Sequence, residues 1–255
     1  MRAAYLIGLA VCFILGLVFL FQAYYADSME LITNVLAPLT AGGAVLSATF
    51  AMRRYWDKPS SRLSRIWLCF TLGMLLWFLG EITWAMYVLV SNVEIPYPSI
   101  ADALWLIGYV PLLIAIELYV KLFRPALSRK LYFGSTAVIS AAGVALFSVM
   151  APLLIATEEN VLLLGIDLAY PVLDIIVLSQ AIFGLLVFTM TRLKGKVGTA
   201  WILISLGIIM NVIGDILFSY STAQEAYFDG HPLDLFFYWG YVLFALAFYT
   251  HMKEL

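Results

Sequence analysis

Eight apolar runs, each long enough to cross a bilayer, fill almost the whole chain. They lie at about 3–25, 29–52, 64–90, 99–121, 131–156, 161–188, 199–220 and 233–250. A spanning helix needs roughly 20 mostly apolar residues. The longest connections, around 53–65 and 221–232, are too short to fold as domains. Charged residues make up 12% of the chain, against about 25% in a soluble domain. The expected fold is therefore all-α: a polytopic membrane helical bundle whose first partner is the lipid bilayer. No kinase, nucleotide-binding or DNA-binding module fits, and nucleic acid is not an expected partner. The first run is longer than the apolar core of about 7–15 residues usual in a signal peptide, so a retained first helix is expected.

The basic residues set an orientation. Arg2, the group Arg53, Arg54, Lys58, Arg62 and Arg65, the group Lys121, Arg124, Arg129 and Lys130, the group Arg192, Lys194 and Lys196, and Lys253 account for all 14 Lys and Arg. With eight spans every one of them falls on the same side. Positively charged loops stay cytoplasmic, which predicts a multi-pass cell-membrane protein with both termini cytoplasmic. The opposite side carries Asp27, Glu30, Glu94, Glu158, Glu159, Glu225 and Asp229 and no Lys or Arg.

Three of the runs recur. At an offset of 134, Trp67 meets Trp201, Leu72-Gly73 meets Leu206-Gly207, and Gly80-Glu81-Ile82 meets Gly214-Asp215-Ile216. At 132, Asp102 meets Asp234, Trp105 meets Phe237, and Gly108-Tyr109 meets Gly240-Tyr241. At 133, Asn34 meets Asp167 and Pro38 meets Pro171. A unit of four helices returns the chain to its starting side, so the copies are expected as a parallel tandem repeat, 1–125 and 126–255.

Acids inside spans are expensive and usually functional. Glu81 is flanked on its helical face by Trp77 and Trp84, and Asp215 by Asn211. Asp167, Tyr170 and Asp174 form an i, i+3, i+7 stripe, with Asp174 near the bilayer middle. Asp102 and Asp234 lie at the outer ends of their helices after a proline, where an acid also serves as a cap. No basic residue within the spans pairs with these acids. Glu81, Asp174 and Asp215 are expected to form the core of a polar pocket open to the outside. Asp167, Asp102, Asp234, Asn211, Trp84, Tyr109 and Tyr241 are expected around it. Interhelical hydrogen bonding is the competing reading for the acids. Trp77, Trp84, Trp105 and Tyr109 share acid-bearing faces and suit an aromatic cage for a cationic group, although interfacial belts and packing are commoner roles. Pro38, Pro111 and Pro171 free the carbonyls of Asn34, Ile107 and Asp167, or simply kink their helices.

Ala137, Ala141 and Ala145 form a small-residue stripe, expected to pack closely against a neighbouring helix. Cys12 and Cys69 sit in apolar runs and read as packing residues. Only two histidines are present, His231 and His251, so a three-His zinc site is not available. The last run holds no lysine for a retinal Schiff base. No phosphate-binding glycine loop or nucleophile elbow occurs. The sequence assigns no cofactor and no metal.

The run Tyr97-Pro98-Ser99-Ile100-Ala101-Asp102-Ala103-Leu104-Trp105-Leu106-Ile107-Gly108-Tyr109 resembles the membrane-embedded sensor segments of some bacterial and archaeal histidine kinases and diguanylate cyclases. Gly80-Glu81, Gly214-Asp215 and the stretch Asp234 to Tyr241 fit the same pattern, so the likeness covers about 62–255. It implies a multi-helix input domain for signal transduction. No output domain lies in this chain, so a sensor would need a separate signalling partner protein. A fainter similarity, through Gly80-Glu81 and Gly214-Asp215, is to the eight-helical lysoplasmalogenase family.

The expectation is a sensor or receptor-like membrane protein. It binds a small, lipid-like or cationic ligand in an outward-facing acidic pocket between the repeats. A lipid hydrolase using the same acids and a proton- or cation-coupled transporter are the alternatives, with no enzymatic activity as the leading reading.

Overall fold

The apolar runs fold as helices, which satisfy their backbone polar groups internally as a lipid environment demands. The computed structural model describes residues 2–91, 95–123, 160–190 and 196–254, together with 133–134, 136–137, 139–141, 143–145, 147–148 and 155. Its helices are α1 (Arg2–Leu20), α2 (Ala26–Arg53), α3 (Arg62–Met86), α4 (Ile100–Phe123), α5 (Val161–Met190), α6 (Lys196–Ala223) and α7 (Asp234–Glu254). A π-helical turn, Tyr87–Ser91, extends α3. Among the described residues, seven helices are long and apolar enough to cross a membrane. The protein is thus a helical, multi-pass chain suited to a bilayer. The fifth expected span, 131–156, is described only in part, and the expected boundary at 125/126 and the loop acids Glu94, Glu158 and Glu159 lie outside the described residues.

Helix ends follow local chemistry. Ser61 caps α3 by accepting from the Ser64 amide at 3.0 Å. Helices α2, α4 and α5 continue through Pro38, Pro111 and Pro171 without a break. The outer flank of α1 shows what surrounds the bundle. Leu6, Leu9 and Phe13 are each about two-thirds exposed, an arrangement that fits lipid and not water. Cys12 and Cys69 are unpaired and partly buried.

Packing follows a regular scheme. Helix α3 packs on α2 and α4, α6 packs on α5 and α7, α2 packs on α7, and α4 packs on α5. Glycines allow two close backbone approaches. A Cβ on Gly73 would lie 2.4 Å from Leu112 Cγ and 3.2 Å from the Gly108 carbonyl oxygen. A Cβ on Gly207 would lie 3.1 Å from the Phe244 ring and 3.2 Å from the Gly240 carbonyl oxygen. The α3–α4 and α6–α7 pairs therefore meet backbone to backbone at matching positions.

The end of the bundle that carries Arg53, Arg62, Lys121 and Lys253 is filled by aromatic side chains. Trp67 lies over His251 with ring centroids 4.2 Å apart, and Tyr119 stacks on Trp201 at 4.8 Å. All four rings are buried. Arg54 Nη1 donates to the Met252 carbonyl at 2.5 Å, tying the α2–α3 connection to the last turn of α7.

One packing expectation is corrected. Ala137, Ala141 and Ala145 are exposed. Among the described residues of that segment the buried positions are Ile139 and Gly143, and a Cβ on Gly143 would come within 2.6 Å of Ile175 Cγ2. The contact face is set by the glycine, which admits a larger neighbour than alanine does.

Gly73→Val should destabilise the protein by about 1–3 kcal/mol through overpacking. Gly43→Val should have little steric effect, since nothing lies within 4 Å of a Cβ there. Unfolding of the two variants in bicelles checks the difference.

Candidate functional site

A carboxylate placed in an apolar bundle needs donors, and here most of them are tyrosines from other helices. Tyr241 Oη, on α7, donates to Glu81 Oε1, on α3, at 2.7 Å. Tyr109 Oη, on α4, donates to Asp174 Oδ1, on α5, at 2.6 Å and lies 3.2 Å from Asp215 Oδ2, on α6. Each tyrosine directly follows a glycine of the close contacts, Gly108 or Gly240. The helix approach thus brings the hydroxyl across to the opposite helix pair.

These groups surround one cavity of about 720 Å³. It lies at the end of the bundle away from the basic residues, and its rim is formed by loop residues including Pro96, Tyr97, Glu225 and Asp229. Among the expected site residues, Glu81, Asp215, Asp167, Asp102, Asp234, Asn211, Trp84, Tyr109 and Tyr241 all line it. Asp174 does not. It is 2% exposed and sits behind Tyr109, whose hydroxyl donates to it. The expected core of three acids is therefore two acids on the wall and one behind it.

No Lys, Arg or His occurs among the described residues lining the cavity. Among the described residues the ion pair formed is Lys121 with Glu117 at 2.9 Å, at the other end of the bundle. Trp77, Trp84, Trp105 and Phe237 supply the apolar walls. The Trp84 and Trp105 ring centroids are 5.7 Å apart, and Trp77 Nε1 donates to the Trp105 carbonyl at 3.1 Å.

Asp102 and Asp234 line the cavity but are already committed. Ser99 and Asp102 form a reciprocal cap at the start of α4. The Ser99 amide and hydroxyl donate to Asp102 Oδ2 at 2.7 and 2.6 Å, and the Asp102 amide donates to Ser99 Oγ at 3.2 Å. Tyr170 Oη donates to the remaining Asp102 oxygen at 3.0 Å. Asp234 accepts from the Gly230 amide at 3.1 Å, from Thr33 Oγ1 at 3.2 Å and from Tyr227 Oη at 3.3 Å. Both acids chiefly hold loops and helix starts in place. Tyr97 Oη donates to Asp167 Oδ1 across the mouth. Asn211 donates to its own helix at Gly207 O, at 2.9 Å.

Sequence reasoning did not single out Thr33, Tyr227, Asp229 or Tyr238, all of which line the cavity. Asn34 Nδ2 donates to Asp229 Oδ2 at 2.9 Å, and Tyr238 Oη to the Thr33 carbonyl at 3.2 Å. Tyr238 had a signal, since Asp234, Tyr238 and Tyr241 fall on one helical face. Thr33 and Tyr227 had none, because their partners come from distant sequence or a loop. Tyr227 lies outside the spans, and burial next to Asp234 and Asp229 raises its phenol well above the ordinary range, so it remains a hydrogen-bond donor.

Among the described residues, no three His, Cys, Asp or Glu side chains converge closely enough to hold a metal ion. The acids are spread around the wall. In comparisons with known proteins, no family model, no curated protein and no solved structure matches the chain.

Tyr109→Phe should cost about 1–3 kcal/mol, because it removes the hydroxyl between two buried carboxyl groups. Combined with Asp174→Asn, the loss should be clearly less than the sum of the single losses, as expected for residues sharing one hydrogen bond. A double-mutant cycle on unfolding free energy checks this coupling.

Proposed function

We propose that the protein is a membrane sensor or receptor-like module that binds a cationic ligand in an acidic, aromatic-walled pocket. The observation that carries this reading is the cavity itself: Glu81 and Asp215 on its wall, tryptophan side chains in the same lining, and no basic side chain among the described residues that line it. In a low-dielectric site, carboxylates without a resident counter-charge favour an arriving cation strongly. Aromatic faces add about 0.5–2 kcal/mol for a cation held over them. A small ammonium ligand and the ammonium head of a lipid-like ligand present the same chemistry to this site.

The pocket lies between two copies of a four-helix unit in this reading. The contacts support the duplication. Gly73 meets Leu112 as Gly207 meets Phe244, and Gly80 meets Trp105 as Gly214 meets Phe237. These pairs correspond at the sequence offsets of 134 and 132. The two carboxylate–tyrosine bonds cross between the units in both directions. The basic-residue distribution supports a cavity mouth on the outer face of the cell membrane, with the termini in the cytoplasm. The likeness of 97–109 to sensor segments supports an input role that acts through a separate signalling protein.

Titration of the purified protein in nanodiscs with n-butylammonium, and with butyrate as the anionic control, tests the reading. Butylammonium should bind and butyrate should not. Glu81→Gln and Asp215→Asn should each weaken the cation by about tenfold, equivalent to 1.4 kcal/mol. Glu117→Gln, at the other end, should leave binding unchanged. Equal binding of cation and anion, or of neither, sinks the proposal.

One observation favours a hydrolytic role instead. Asp174 and Asp215 meet over a single tyrosine hydroxyl, a pairing suited to acid–base work on a lipid. In that case turnover of a lysolipid by the wild type should be abolished in Asp215→Asn while the fold is retained.

A further inference from the structure

The end of the bundle opposite the cavity gathers cations from three helices at one corner. Contacts between helices make that corner. Tyr5 Oη on α1 and Thr250 Oγ1 on α7 are hydrogen-bonded at 3.0 Å. Gly8 against Leu246, and the Cys12 carbonyl against Trp239 Nε1, continue the same antiparallel run. Arg2 lies one turn before Tyr5 and Lys253 one turn after Thr250, so both fall at one level beyond the contact. Arg54 Nη1 donates to the Met252 carbonyl at 2.5 Å, which brings the end of α2, with Arg53, beside Lys253. From this assembly we infer that the corner formed by Arg2, Arg53, Arg54 and Lys253 docks the headgroups of anionic phospholipids. The inference does not rest on the cation-binding reading and concerns the other end of the molecule.

All four side chains are exposed. Among the described residues none of them pairs with a carboxylate, and the ion pair that does form, Lys121 with Glu117, lies on α4. The helix macrodipole accounts for Arg53 and Lys253, which stand in the last turns of α2 and α7. It does not account for Arg2. That cation opens α1, where the dipole opposes it, and the first turn of α1 holds no acid to offset it. An anion from outside the chain supplies the counter-charge.

What lies beside the cations points to lipid as the source of that anion. The Arg53 guanidinium carbon is 5.7 Å from the ring centroid of Phe50, which is about half exposed one turn deeper in α2. Lys253 Nζ is 5.8 Å from the Tyr249 ring centroid. Charges held over an aromatic ring at the end of an apolar stem suit the boundary between hydrocarbon and headgroups. Trp56, three residues after Arg53, is 69% exposed. A tryptophan so open fits the headgroup level, where its ring is half in hydrocarbon and its N–H is in a polar layer. The loop is also held in place. The Trp56 amide donates to the Arg53 carbonyl at 3.2 Å, and Tyr55 Oη is hydrogen-bonded to His251 Nε2 at 2.9 Å. An acidic protein segment would answer the charges but gives no reason for an exposed tryptophan among them.

The test titrates the full chain in neutral detergent with dihexanoyl phosphatidylglycerol and dihexanoyl phosphatidylcholine, and reads bound lipid by native mass spectrometry. The acyl chains are the same, so the difference reports headgroup charge. Phosphatidylglycerol should bind about tenfold more tightly, and less so as salt is raised. The double variant Arg53→Gln/Lys253→Gln should bring the two lipids to within about threefold of each other. Lys121→Gln, on α4, should leave the preference unchanged. Equal binding of the two lipids by the wild type overturns the inference. So does a preference that survives the double variant, or one lost equally in Lys121→Gln. Capture of a polyglutamate peptide in place of the anionic lipid overturns it as well, and assigns the corner to an acidic protein. The wild-type comparison needs no variant to fold.

Discussion

Two backbone contacts, Gly73 with Gly108 and Gly207 with Gly240, set the geometry on which the cavity depends. Side chains of ordinary size at these positions would push α3 from α4 and α6 from α7. The residues immediately after two of these glycines, Tyr109 and Tyr241, would then fall short of the acids they serve. Helix association in lipid gains little from the hydrophobic effect, because lipid is as apolar as the side chains. Close van der Waals approach and interhelical hydrogen bonds take its place. Here the same few residues provide both.

The bundle is unlike at its two ends. At the basic end, stacked Trp67, His251, Tyr119 and Trp201 fill the space between helices. At the acidic end, the equivalent space is a cavity walled by aromatic rings and carboxyl groups. The acids at the rim, Asp102 and Asp234, secure loops and helix starts, and the deeper acids meet tyrosines that reach across from other helices.

Much of this was legible in the sequence. The positions of the seven described spans follow from apolar length, and Glu81 and Asp215 stand out because a carboxyl group in a span is costly. The outcome for Asp102 was also readable in kind, since an acid three residues after Ser99 suits a helix start. The partners were not readable. Tyr241 and Glu81 are 160 residues apart, and no local pattern states which faces of α3 and α7 will meet. Helical periodicity placed Asp174 on the correct face but not behind Tyr109, because the order of side chains in depth is decided by neighbouring helices. The alanine stripe misled for a related reason. Small residues permit a close contact, but the contact formed at Gly143, where a neighbouring isoleucine needed more room.

The crossed hydrogen bonds also have a mechanical consequence. Tyr241 holds Glu81 on the facing helix pair, and Tyr109 holds Asp174 and comes within reach of Asp215. A rigid-body rotation of one pair against the other cannot lengthen one of these links without disturbing its counterpart. The cavity wall is thus cross-braced: a change in the position of either helix pair is felt at both hydrogen bonds.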